Sequence, residues 1–174
     1  MNQKALEAAI RLTLLECLPP GWKTPIIAGN QPTGQGRQNG VYFFRISEGK
    51  RGWLSRKYRN QGDDLLLTER QWNEPLYQFS ALIDDDPKDD AQLLAGDVLD
   101  IVRSTVSSIV MVEKLRPLRI GVQRPSDIVT PAFVNDRNQY DFNPNFTVAF
   151  SHPRDITQAV PYTDTVEFSG IHRV

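Results

Sequence analysis

The stretch Tyr140-Asp141-Phe142-Asn143-Pro144-Asn145-Phe146-Thr147-Val148-Ala149-Phe150-Ser151 puts an apolar or ring residue at every second position. Strand side chains alternate between two faces, so this segment predicts a long β-strand with one buried face and one mostly polar face. A second alternating run, Val166 and Phe168 against Thr165, Glu167 and Ser169, predicts a closing strand.

Working outward, residues 3–17 predict a helix. Leu6, Ala9, Ile10, Thr13, Leu14 and Cys17 recur at spacings of three and four, and Pro19-Pro20-Gly21 ends the pattern. Residues 29–40 are rich in Gly, Gln and Asn and predict a flexible loop. Val41–Ser47 predicts a strand, Glu48-Gly49-Lys50-Arg51-Gly52 a turn, and Trp53–Tyr58 a returning strand, which makes a hairpin. Gln71–Ile83 predicts a third strand interrupted by Pro75. Residues 89–110 predict one long helix, with Leu94, Val98, Ile101, Val102, Thr105 and Ile109 on its apolar face. Leu118–Gln123 reads as a short strand and Pro153–Pro161 as a link between the closing strands. Gly49 and the Gly170-Ile171 step are candidate bulge or turn positions. The order predicts a single α+β domain over residues 1–174. It has a mainly antiparallel sheet, packed by one long helix plus an N-terminal helix.

Composition narrows the function classes. With 40% hydrophobic and 24% charged residues the chain is globular in composition, and a net charge of −1 gives no global attraction to nucleic acid or to an anionic membrane. The lone Cys17 allows no internal disulfide and reads as a small core hydrophobe. No apolar run approaches the roughly 18 residues of a membrane span, and Glu7, Arg11 and Glu16 break the N-terminal stretch as no signal peptide would be broken.

No constellation reads as chemistry. The run Gly34, Gly36, Gly40 lacks the Gly-Lys-Ser/Thr ending of a phosphate loop and leads into a strand. Asp84, Asp85, Asp86, Asp89 and Asp90 could attract a hard cation, but without EF-hand spacing they read first as acids before a helix N-terminus. Ser151, His152 and Asp155 are close in sequence, yet strand neighbours point to opposite faces, and neither His152 nor His172 has a partner at metal-ligand spacing. The chain therefore reads as a non-enzyme without cofactor or metal. Lys50, Arg51, Arg56, Lys57 and Arg59 interleave with Trp53 and Tyr58, a mixture that suits either a solvated or subunit-facing hairpin or contact with nucleic acid. These five basic residues and the five aspartates are the candidate interface, a pair of charge-complementary segments in a nearly neutral chain.

Two C-terminal pieces, from Asn135 through Tyr140 and Phe142 to Phe150 and from Asp164 to Val174, together with the order of elements, resemble the neck or tail-terminator proteins of tailed bacteriophages. The resemblance implies a structural virion protein, assembled in the host cytoplasm, that forms a ring, usually a hexamer, on the head-proximal end of the tail tube. Its implied partners are further copies of itself, tube and sheath proteins, and neck or adaptor proteins. DNA would pass through the lumen without sequence-specific contact, and no membrane is involved. A head-completion or adaptor protein of the same neck, and a small nucleic-acid-binding module using the 50–59 hairpin, are the alternatives.

Overall fold

The computed structural model describes residues 1–29, 39–61, 64–84, 92–134 and 140–160. Three helices and seven strands follow in chain order: α1 Gln3–Cys17, β1 Ile26–Ala28, β2 Gly40–Gln61, β3 Asp64–Leu82, α2 Ala95–Val106, α3 Ile109–Leu115, β4 Gly121–Val122, β5 Ala132–Val134, β6 Tyr140–Phe142 and β7 Asn145–Val160. The principal sheet has the order β1-β2-β3-β7-β4, and β5 and β6 form a separate antiparallel pair. The α+β class stands. The sheet is mixed rather than mainly antiparallel, because β1 runs parallel to β2 with Ile26 opposite Val41. A parallel pair needs a long return connection, which residues 29–39 supply. The expected loop at 29–40 otherwise lies largely outside the described residues.

The quoted alternation, expected as one long strand over 140–151, is split: Tyr140–Phe142 forms β6, which pairs with β5, and from Asn145 onward it forms β7, which sets the core. Phe146, Val148 and Phe150 are buried while Asn145, Thr147 and Ala149 are only partly so. Phe43, Phe79 and Phe146 lie abreast on three neighbouring strands and stack at 5.1 Å between successive ring centroids. Tyr77 meets Phe150 edge-on at 5.8 Å. Leu6, Ile10 and Leu14 of α1 close over these rings, with Val98, Leu99, Val102 and Val106 of α2 and Met111 and Leu115 of α3. The N-terminal helix has the predicted bounds; Asn2 caps it by accepting from the Ala5 N–H at 2.8 Å.

The expected long helix over 89–110 is instead two. The Ser107 hydroxyl donates to the Arg103 carbonyl at 2.8 Å, and the Ser108 side chain accepts from the Met111 N–H at 3.2 Å, so α2 ends and α3 is capped at the same serine pair. Leu94 and Ile109, expected on the buried face, are 53% and 73% exposed because both lie outside the α2 segment that packs.

The hairpin expected at 48–59 is also corrected. Glu48 to Gly52 continues strand β2, with Gly49 opposite Glu74 and Arg51 opposite Trp72. The hairpin partner of β2 is β3, and residues 62–63 between them lie outside the described residues. Pro75 does not end β3: the β3–β7 ladder passes from Asn73–His152 to Leu76–Ala149, and the proline, with no N–H to give, falls in the gap. Pro153–Val160, expected as a link, extends β7. The closing run at 165–169 and Gly170-Ile171 are outside the described residues.

A candidate assembly interface on a projecting arm

Strand β2 has 22 residues and β3 has 19. At roughly 3.3 Å per residue, β2 spans about 70 Å, far more than the helices cover. Lys50 to Asn60 is exposed throughout, and β7 is largely exposed from Arg154 to Ala159. These segments and the first half of β3 form a three-stranded arm. Among the described residues its two edges are open: β1 pairs only with Val41–Phe43, and β4 with the preceding segment of β7 at Phe150–Ser151.

The β3–β7 register holds from Ser80–Asn145 at the base to Leu65–Val160 at the tip. The arm's inner face is therefore a direct continuation of the face that the helices cover at the base. Tyr58, Leu67 and Gln158 lie abreast on it, followed by Arg56, Glu69 and Ile156. Leu67 is 8% exposed between its neighbours, whereas Tyr58 and Ile156 are more than half exposed.

A wide bulge interrupts β2. Between Arg51–Trp72 and Ser55–Arg70, three residues of β2 oppose the single Gln71. The Gln71 side-chain amide donates to the Arg51 and Gly52 carbonyls at 2.9 and 3.2 Å, satisfying backbone groups that the ladder leaves unpaired. Gly52 sits at φ +68°, a conformation that favours glycine. The bulge presents Trp53, 98% exposed.

All five basic candidates lie on this arm. Arg51 pairs with Glu74 at 3.2 Å and Arg56 with Glu69 at 2.9 Å. Lys57 and Arg59 lie on the outer face, opposite Thr68 and Leu66. Arg70 grips Asp155 with two hydrogen bonds of 2.7 and 2.6 Å, which raises the guanidinium's affinity for its proton and holds the carboxyl below its ordinary value. The arm is thus laced by cross-strand ion pairs rather than left as bare positive charge. Asp84 follows β3 at the opposite end from the arm tip, about 60 Å from Arg59 along the strand. One subunit does not bring it to the basic segment. Asp85, Asp86, Asp89 and Asp90 are outside the described residues.

At the arm's root Asn73 and His152 are buried polar residues, beside the exposed Arg45 and Glu48. Asn73, 4% exposed, donates to Glu48 at 2.9 Å, and Glu48 also receives Arg45 at 2.6 Å. His152 lies opposite Asn73 with Nδ1 3.3 Å from the Pro153 carbonyl. Desolvation keeps this imidazole below its ordinary pKa, against the pull of the nearby carbonyl. The Tyr77 hydroxyl donates to Glu7 of α1 at 3.5 Å; burial, reinforced by that carboxylate, pushes the phenol's pKa up. A polar cavity of about 510 Å³ separates this group from the start of α1. Ser151 and Asp155 fall on the strand face opposite His152, so no triad forms. Among the described residues no group of three His, Cys, Asp or Glu is placed to hold a metal, and no helix is long and apolar enough to cross a membrane.

Sequence reasoning named the exposed basic residues but missed the bulge and the hydrogen bond from buried Asn73 to Glu48. The bulge had a local signal: a glycine before two adjacent large apolar residues inside a charged run.

The fold resembles the sheath/tube terminator of an extracellular contractile injection system, PVC, in its extended state, at TM-score 0.51 and 15% identity. The likeness covers 100% of this chain and 64% of that one, so this chain spans about two thirds of that protein's length. The tube-terminating cap of the anti-feeding prophage aligns over 98% of this chain and 62% of its own, at 12% identity and TM-score 0.47, too loosely to add to this. No curated protein sequence matches the chain. The family model described as E217 gateway protein gp29 matches residues 5–162, from within α1 through the end of β7. The chain belongs to that family.

Proposed function

We propose that this protein closes the head-proximal end of a phage tail tube as a ring and joins tail to head, with tube, sheath and neck proteins as its partners and DNA passing through the lumen. The observation that carries this reading is the family match across residues 5–162. The geometry suits it: a compact helix-covered base and a long arm with open edges give one subunit two different surfaces, as a closed heterologous ring requires. A hexamer is the ring size implied by the resemblance.

A head-completion or adaptor role in the same neck is the second reading, favoured by the description of the matched family as a gateway protein. A nucleic-acid module on the 50–59 segment gains less support, because Arg51 and Arg56 are engaged with Glu74 and Glu69. The test is a phage lacking this protein, viewed by electron microscopy. Tails of abnormal length beside unattached heads are expected. Normal tails on attached heads would overturn both neck readings, whereas tails of normal length with unattached heads would select the adaptor role.

A further inference from the structure

The bulge and the arm's inner face supply two halves of a contact that one subunit does not make. Trp53 is 98% exposed, so it lies in no groove formed by the described residues. Nearby, on the inner face, is an open groove of about 500 Å³. Leu54 and Ile156 give it apolar walls, Glu69 a carboxylate, and Lys50 and Arg154 cations. That chemistry fits an indole: apolar surface for the ring, an acceptor for its N–H, and cations for its face.

We propose that Trp53 of one subunit docks into this groove on a second copy of the chain. The proposal deepens the ring reading and rests on it for the proximity of the copies. Self-complementarity argues for a second copy over another protein, since the same chain carries both the protruding ring and the groove that suits it. The arm strands, Lys50 to Asn60 of β2, Asp64 to Asn73 of β3 and Arg154 to Ala159 of β7, offer roughly 400 Å² on one face, about half of the roughly 800 Å² per partner in a stable interface, and the protruding indole with its flanking strand adds to it. Trp53 is then the kind of aromatic anchor that dominates interface energetics.

The test replaces Trp53 with the photo-cross-linker benzoyl-phenylalanine in the full-length chain and uses a mixture of isotopically light and heavy protein. Mixed light–heavy cross-links to peptides carrying Glu69 or Ile156 are expected. In sedimentation, Trp53→Ala should weaken self-association about tenfold or more, and Trp53→Phe should recover part of it, with thermal stability unchanged in both. Cross-links confined to one copy, cross-links to another virion protein or to residues 161–174, absence of cross-links, or unaltered association of Trp53→Ala would each overturn the proposal. Rings that form in micrographs with Trp53 cross-linked elsewhere would sink the docking alone. Trp53 cross-links between copies that form no ring would sink the ring reading alone.

Discussion

The base and the arm are two halves of the same three strands, in one uninterrupted β3–β7 register, and they solve opposite problems. At the base, Phe43, Phe79 and Phe146 stack beneath three helices and are fully buried. On the arm the same face carries Tyr58, Leu67 and Ile156 without a helical cover among the described residues, and ion pairs cross the strands. Strand pairing alone is indifferent to which half it builds. Covering the face with helices makes a core; leaving it open makes a surface that can bind. Stability should therefore reside in the base and assembly in the arm.

The sharpest way to break this contrast is to remove a ring from the base. Phe79→Ala deletes the middle of the aromatic row and should cost about 3–5 kcal/mol in chemical denaturation. Tyr58→Ala on the arm should leave the unfolding midpoint almost unmoved. Equal losses would show that the two halves share one core.

The junction should respond to pH. His152 is buried with its pKa below the ordinary 6.5. The unfolded chain therefore takes up this proton at higher pH than the folded one, and stability falls as pH drops below about 6.5. Wild type should lose more stability than His152→Gln on acidification over the window beginning there and extending down to the lowered native value. Parallel pH profiles of the two proteins would place the acid sensitivity elsewhere.

The smallest effect on folding belongs to the arm's ion pairs. Reversing Arg56 and Lys57 to Glu should change stability by only about 0.2–1 kcal/mol per exposed pair. It should nonetheless weaken assembly, and raised salt should weaken assembly of the wild type in the same direction. Assembly indifferent to both treatments would remove charge from the account of the interface.

Much of this division was legible in the sequence. The spacing from Leu6 to Leu14 reports a local period imposed by a buried face, and α1 appears where the period puts it; the alternation from Tyr140 to Ser151 does so only from Asn145 onward, because Tyr140–Phe142 pairs with β5 instead. Several errors came from residues whose local preference was overruled at long range. Gly49 and Gly52 signal a turn, but β3 pairs with the strand on both sides of them and a bulge absorbs the surplus. Pro75 and Pro153 signal interruption, but the first falls in a ladder gap and the second is held opposite Trp72. The helix break at Ser107-Ser108 is the converse case, with hydroxyl competition ending an otherwise continuous apolar stripe. The exposure of the five basic residues followed from their charge, while the pairs that engage Arg51 and Arg56 depended on a register no local pattern carries.

The ladder gap at Pro75 has a mechanical consequence. A sheet resists bending through its rows of hydrogen bonds, and residues 74–75 lack paired positions to β7 beside the buried Asn73 and near the bulge at 51–55. Bending compliance is thus concentrated at one crease, where the helix-covered base gives way to the arm. The pairing of Glu48 with Pro75 and Gly49 with Glu74 still ties β2 to β3 there, so a tilt of the arm would hinge on that edge while the stacked rings of the base kept their packing.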